Sequence, residues 1–203
     1  MLLALAMCVF GQKGAVDVAA YFPLDRGAKW TYMREANGSR GQFVQVAGAE
    51  KQIGGDKAIP IEPQIPGVMP AFYALKNGAV YVVAYDYLVP LVPPRMVFRA
   101  SAATEKWSWD AVEHTMYIHM DAESAPVGIR KVLGEDRDVI QVKMVAQVSA
   151  TNSKWTETQI ALYAKGIGLY EMQDESSGEM KSKVTLTLTS FEPGRSAKSL
   201  GQQ

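Results

Sequence analysis

The sequence predicts a mainly β fold: one antiparallel, strongly curved sheet of half-barrel or clam-like shape, or a β-sandwich, with about nine to eleven strands and little helix. Three observations carry that expectation. Apolar and polar residues alternate over most of the chain, as where Ile140, Val142, Met144, Ala146 and Val148 interleave with Gln141, Lys143 and Gln147. Turn signals such as Asn37-Gly38 and Asn77-Gly78 punctuate the alternating runs. A helical period of about 3.6 is sustained nowhere, so residues 101–106 and 122–131 are each read as at most a turn or a short helix.

Residues 2–10 form an uncharged apolar run. It falls short of the roughly twenty apolar residues that cross a bilayer and matches the about 7–15 residues of a secretory h-region, although a basic n-region is missing. Gly11 or Ala20, with Val9 or Val18 two positions before, supplies a small-residue cleavage point. Residues 1–20 are therefore expected to be a signal or leader. The product is expected to be exported: periplasmic, anchored to the outer membrane, or extracellular. Cys8, the only cysteine, follows Leu5-Ala6-Met7 as in a lipoprotein box, with Met7 where that box takes a small residue. Lipidation of Cys8 and its removal with the leader both stay open. Residues 21–193 form one domain without a disulfide, and 194–203 a polar tail.

The domain opens on residues 21–32. Pro23 holds Phe22 extended, Asp25-Arg26-Gly27 turns the chain, and from Lys29 onward Trp30, Tyr32 and Arg34 share one strand face against Thr31, Met33 and Glu35. Residues 41–50 read as a strand, 51–55 as a turn and 57–62 as a short extended piece. Runs 69–76 and 79–86 flank Asn77-Gly78 as a hairpin, and its second arm, apolar on both faces, is expected to be covered on both sides. Seven of the ten prolines lie between Pro60 and Pro94. Pro90, Pro93 and Pro94 make residues 88–98 an edge or a loop, because proline donates nothing to a ladder.

Further strands follow at 105–110, with Trp107 and Trp109 on one face, and at 112–121, with Val112, His114, Met116, Ile118 and Met120 on one face. The clearest alternation runs over 138–150. Residues 155–164 and 169–174 pair across 165–168, and 180–191 closes the domain with Val184, Leu186 and Leu188 facing inward.

Tyr21-Phe22-Pro23-Leu24, Gly27, Trp30 and Tyr32, with Ala164, Gly166, Gly168 and Leu169 late in the chain, resemble a widespread group of uncharacterised secreted bacterial proteins and lipoproteins. That group opens on Tyr-Phe-Pro-Leu-x-x-Gly-x-x-Trp-x-Tyr and carries a late Ala-x-Gly-x-Gly-Leu turn. Its glycine before the second tryptophan strand is replaced here around Thr104 and Glu105. The resemblance covers most of the chain, implies export, and brings no catalytic residue to carry over.

Twenty-one basic and 21 acidic residues leave no net charge, and no block of like charge occurs. Neither nucleic acid nor an anionic membrane surface is implied as a partner. No motif pairs a nucleophile with a base. A metal site from His119 and Asp121 lacks a third ligand, and residues 166–168 lack the third glycine of a phosphate loop. No catalytic residue, metal or cofactor is expected, and the chain reads as non-enzymatic. Two function classes remain: a binder of an apolar small molecule such as a lipid or acyl chain, and a structural or protein–protein interaction module of the bacterial envelope. For the first, Met69, Phe72, Tyr85, Leu88, Val92 and Met96 are the candidate lining of a cavity mouth. Proline bars their segments from regular pairing, so their apolar surface must be satisfied elsewhere.

Expressed with its upstream region in a bacterial host, the protein should lose the residues before about Tyr21 and leave the cytoplasm. Intact mass separates a diacylglyceryl-modified Cys8 from a cleaved, unmodified chain, and an uncleaved cytoplasmic product rejects both.

Overall fold

Asn-Gly turns set the local architecture. The computed structural model describes residues 16–85, 89–113 and 115–195; Cys8, Leu88 and His114, with segments 1–15 and 196–203, lie outside the described residues. Asn37 and Asn77 take φ of 48° and 53°, and the glycines after them 83° and 70°, the left-handed pair of a tight hairpin. The first turn joins β1 (Lys29–Ala36) to β2 (Ser39–Ala47). After β3 (Lys51–Ile53) and β4 (Asp56–Pro63), the second joins β5 (Ala71–Lys76) to β6 (Ala79–Tyr85). The proline segment follows as β7 (Val89–Arg99), then β8 (Glu105–Glu113), β9 (Met116–Val132), β10 (Glu135–Ala150), β11 (Ser153–Ala164), β12 (Gly168–Gly178) and β13 (Ser182–Glu192).

One antiparallel sheet results, in the order β7-β6-β5-β4-β2-β1-β13-β12-β11-β10-β9-β8, with β3 paired to β4 off this path. The first and last strands of the chain pair at its middle, and β7 and β8, consecutive in sequence, form its two edges. The mainly β, single curved sheet expected from the alternation is what forms.

Among the described residues thirteen strands appear where about nine to eleven were expected. Residues 51–53, read as part of a turn, pair with 56–58, and the proline segment joins as an edge. The run 112–121 is not one strand: Val112, 70% exposed, lies near the turn end of β8, and Glu113 pairs with Met116 across the hairpin. Even-numbered residues face inward only from Met116 onward; in β8 the odd-numbered ones do. Residues 122–131, read as a turn or short helix, continue β9. Pro126 and Gly128 punctuate the sequence there but sit in a bulge, where Ile140 pairs with Pro126, Val139 pairs with Gly128, and Val127 is left over.

The two sheet edges meet through side chains. Pro93 and Pro94 carry no N–H, so β7 cannot extend the ladder to β8 there. Instead Trp107 Nε1 donates to the Met96 carbonyl at 3.1 Å and Trp109 Nε1 to the Pro93 carbonyl at 3.2 Å. Arg99 Nε and Glu105 Oε2, 2.9 Å apart, form an ion pair across the same seam.

The opposite constraint is a plug at one end. Asp17 caps the short helix α1 (Val18–Tyr21), accepting from Ala19 N at 3.0 Å. Its Val18 and Tyr21 are buried, and Phe22 stacks on Tyr73, Phe98 and Tyr163 at centroid distances of 5.2, 6.2 and 5.8 Å. The packed body therefore includes residues before Tyr21. A cut at Ala20 would remove buried Val18, whereas one at Gly11 would spare it.

Inside the sheet, Ile140 and Val142 pack with Val80, Phe98 and Tyr163, and Leu186 and Leu188 with Trp30 and Tyr32. On the outer face of β5 and β6, Phe72, Ala74, Val83 and Ala84 pack under Ala58 and Ile53. That outer layer gives β6 the cover on both sides that its sequence requires. Phe98, fully buried where plug and wall meet, should lose about 3–5 kcal/mol on Phe98→Ala, while Val112→Ala should stay within about 0.5 kcal/mol. Urea unfolding followed by circular dichroism measures both.

Candidate ligand cavity

A sheet of about eight strands closes on an interior that side chains just fill, and larger circumferences leave room. Here twelve strands lie along the path around the interior. The plug fills one end, and beyond it remains a cavity of about 370 Å³. Strand alternation decides its wall: Trp30, Tyr32 and Arg34 from β1, Phe43 and Gln45 from β2, Tyr73 from β5, Arg95 and Val97 from β7, Met144 from β10, Gln159 and Tyr163 from β11, and Val184 and Leu186 from β13. Ile61, Val82, Leu169 and Met172 add to the apolar lining, and Phe22, Pro23 and Gly168 form its floor. Arg34 faces inward by register yet is exposed, which marks the end away from the plug as the open one.

The floor joins the two distant segments singled out in the sequence. Trp30 Nε1 donates to the Ile167 carbonyl at 2.6 Å and Tyr32 Oη to the Leu169 carbonyl at 3.0 Å. Gly166 N donates to the Ala20 carbonyl at 2.6 Å. A Cβ on Gly168 would stand 3.3 Å from Pro23 Cδ, so the turn 165–168 presses its backbone against the proline. The aromatic opening and the glycine turn are two halves of one contact.

The wall is mostly apolar, with a few polar groups. Burial pushes the Tyr163 hydroxyl well above the usual tyrosine range, with Tyr73 adding to the effect. Tyr73 is raised by burial while Arg95 opposes it. Arg95 lies over the rings of Tyr85 and Trp109, at 5.3 and 5.9 Å from their centroids, and its Nε is buried with no hydrogen-bond partner among the described residues. Just outside the lining, burial raises the carboxyls of Glu157 and Asp174. Asp174 raises Glu157 further, while Arg95 holds it back; Gln159, 3.5 Å from Asp174 Oδ2, tempers Asp174.

None of the candidate residues that the structure describes lines this cavity. Phe72 is fully buried on the face of β5 opposite Tyr73. Met69 lies in the β4–β5 connection and Val92 on β7, both exposed. Met96 lies between the lining residues Arg95 and Val97, and its carbonyl serves the seam. Tyr85 reaches the site indirectly, through the Arg95 guanidinium on its ring. Leu88 is outside the described residues. What sequence reasoning missed, Arg95 and Val97, belongs to the very segment it selected. The inner face of β1 was legible as an alternating aromatic face.

No family model matches the chain, and no curated protein matches it. Among solved structures it is similar to a "putative lipoprotein" from Parabacteroides distasonis, with a TM-score of 0.49 and 13% sequence identity over 85% of this chain and 98% of that one.

On the outer face, His119 Nδ1 lies 2.8 Å from Asp110 Oδ1 and its Nε2 lies 3.5 Å from Asp121 Oδ2. Tyr117 Oη donates to the same Asp110 oxygen at 2.7 Å. Both ring nitrogens of His119 thus face carboxylates, and no group of three or more metal-binding side chains occurs among the described residues. The hydrogen bond to Asp110 holds His119 above the usual histidine pKa. Protonation then favours the folded chain: the contribution is complete below the unfolded value of about 6.5 and is lost as pH rises through the folded one. An NMR titration should place His119 above that value and see it fall in Asp110→Asn. Identical midpoints in both proteins would refute the pairing.

Proposed function

We propose that this barrel is a binding module of the bacterial envelope that holds an apolar small molecule, such as a lipid or acyl chain, in its interior. The carrying observation is the cavity of about 370 Å³, within the roughly 300–1,000 Å³ of small-molecule sites. Binding is favoured over turnover by the composition of the wall: among the described residues it includes no Ser, Thr, Cys, His, Lys, Asp or Glu, and burial raises the pKa of its three tyrosines, Tyr32, Tyr73 and Tyr163, so that they stay protonated. Met144 and Met172 are flexible and polarizable, a lining that adapts to chain-like ligands. The placement in the envelope rests on the leader-like run 2–10 and on the resemblance of residues 21–32 and 164–169 to secreted proteins.

A second reading, an interaction module, is favoured by exposed apolar side chains on and near the proline-rich segment. Val68 and Met69 precede β5, and Val92 on the edge strand is 85% exposed.

Uptake of the neutral fluorescent probe N-phenyl-1-naphthylamine separates the two. The wild-type protein should bind it, and Met172→Trp, which fills the cavity, should weaken binding by about tenfold or more, that is about 1.4 kcal/mol. Met69→Asp with Val92→Asp should leave uptake unchanged. A wild-type protein that takes up no probe would remove the binding-module reading and leave the interaction module.

A further inference from the structure

The cavity carries a charge pattern that an apolar ligand alone does not explain. Among the described residues its wall holds two arginines, Arg34 and Arg95, and no carboxylate, in a chain with no net charge. Arg34 sits at the open end and is solvated, whereas Arg95 lies deeper, between two aromatic rings. A guanidinium stays charged at any physiological pH. The ring faces of Tyr85 and Trp109 attract that charge but supply no oxygen to the N–H donors of Arg95. Its Nε is buried and unpaired among the described residues, a costly arrangement unless something supplies an oxygen.

Glu157 feels Arg95 across space, but Arg95 forms no ion pair among the described residues. Tyr73 and Tyr163 line the same cavity. Because burial opposes their ionisation, both keep O–H groups that can donate.

We infer that the ligand is an amphipathic anion, whose carboxylate or phosphate head is held by Arg95 with the hydroxyls of Tyr73 and Tyr163, and whose apolar tail lies along Val82, Val97, Met144 and Met172. The inference rests on the binding-module reading above and names its ligand class. A planar guanidinium suits both head groups, since each offers oxygens to its fork of donors. Arg34 at the open end would draw the anion in and remain solvated beside it.

The test compares dodecanoate, dodecyl phosphate and dodecan-1-ol as competitors of the neutral probe, in the wild-type protein and in Arg95→Met. In the wild type at least one anion should bind more tightly than the alcohol by about 10- to 100-fold, the worth of a charge-assisted hydrogen bond. Arg95→Met should lose that preference while still binding the alcohol, which also shows that the variant is folded. Arg34→Gln should narrow the preference less than Arg95→Met does. Equal affinity of the wild type for alcohol and anions would overturn the inference and leave the binding module standing. A preference that survives Arg95→Met would overturn the assignment to this residue, and failure of all three competitors to displace a bound probe would overturn the inference, whereas the binding module itself falls only if the probe does not bind.

Discussion

Two indole N–H groups reaching across to the proline strand determine what kind of object this sheet becomes. Without β7–β8 closure, a long antiparallel meander presents two open edges and its interior drains into solvent. Backbone pairing cannot close it where Pro93 and Pro94 stand, yet the carbonyls of that strand still need donors. Trp107 and Trp109 supply them from the facing edge. Each bond is modest, about 0.5–1.5 kcal/mol, but each also buries a large apolar ring, so the seam is a packing contact as much as a polar one.

Closure creates a second problem, which the chain answers with its own beginning. Twelve strands enclose more space than their inward side chains occupy. Helix α1 and Phe22 fill one end, where Phe22 meets aromatic rings of β5, β7 and β11. Gly166 N, donating to the Ala20 carbonyl, ties this plug to the turn 165–168, and the indole of Trp30 ties β1 to the same turn across 137 residues. The plug covers one end only, so the remaining space is bounded by a dry aromatic floor below and by solvated arginine above.

The buried tyrosines and Arg95 show how such a space tolerates polar groups. Tyr32 satisfies its hydroxyl on the Leu169 carbonyl and reads as structure. Tyr73 and Tyr163 instead border the cavity. Glu157 and Asp174 stand one step outside the wall, where burial raises both carboxyls above the usual range.

By itself the sequence determined the strands, most of the turns, and the inner faces of β1, β10 and β13, because period-two alternation and Asn-Gly chemistry act between near neighbours. It also barred the proline segment from the middle of the sheet, leaving an edge or a loop, since a missing N–H is a local fact. It did not reveal β3, the continuation of β9 past Pro126, or the packing of Val18 into the body, because long-range partners stabilise each of these. The cavity lay further out of reach. Between β6 and β7 the register shifts at Val80/Tyr81 and again at Val82/Ala84, so counting residues cannot say which side chains point inward. Only the tertiary structure decided that Arg95 and Val97 face the interior while Phe72 lies behind the sheet, because face, circumference and closure are set by pairings between residues far apart in the chain.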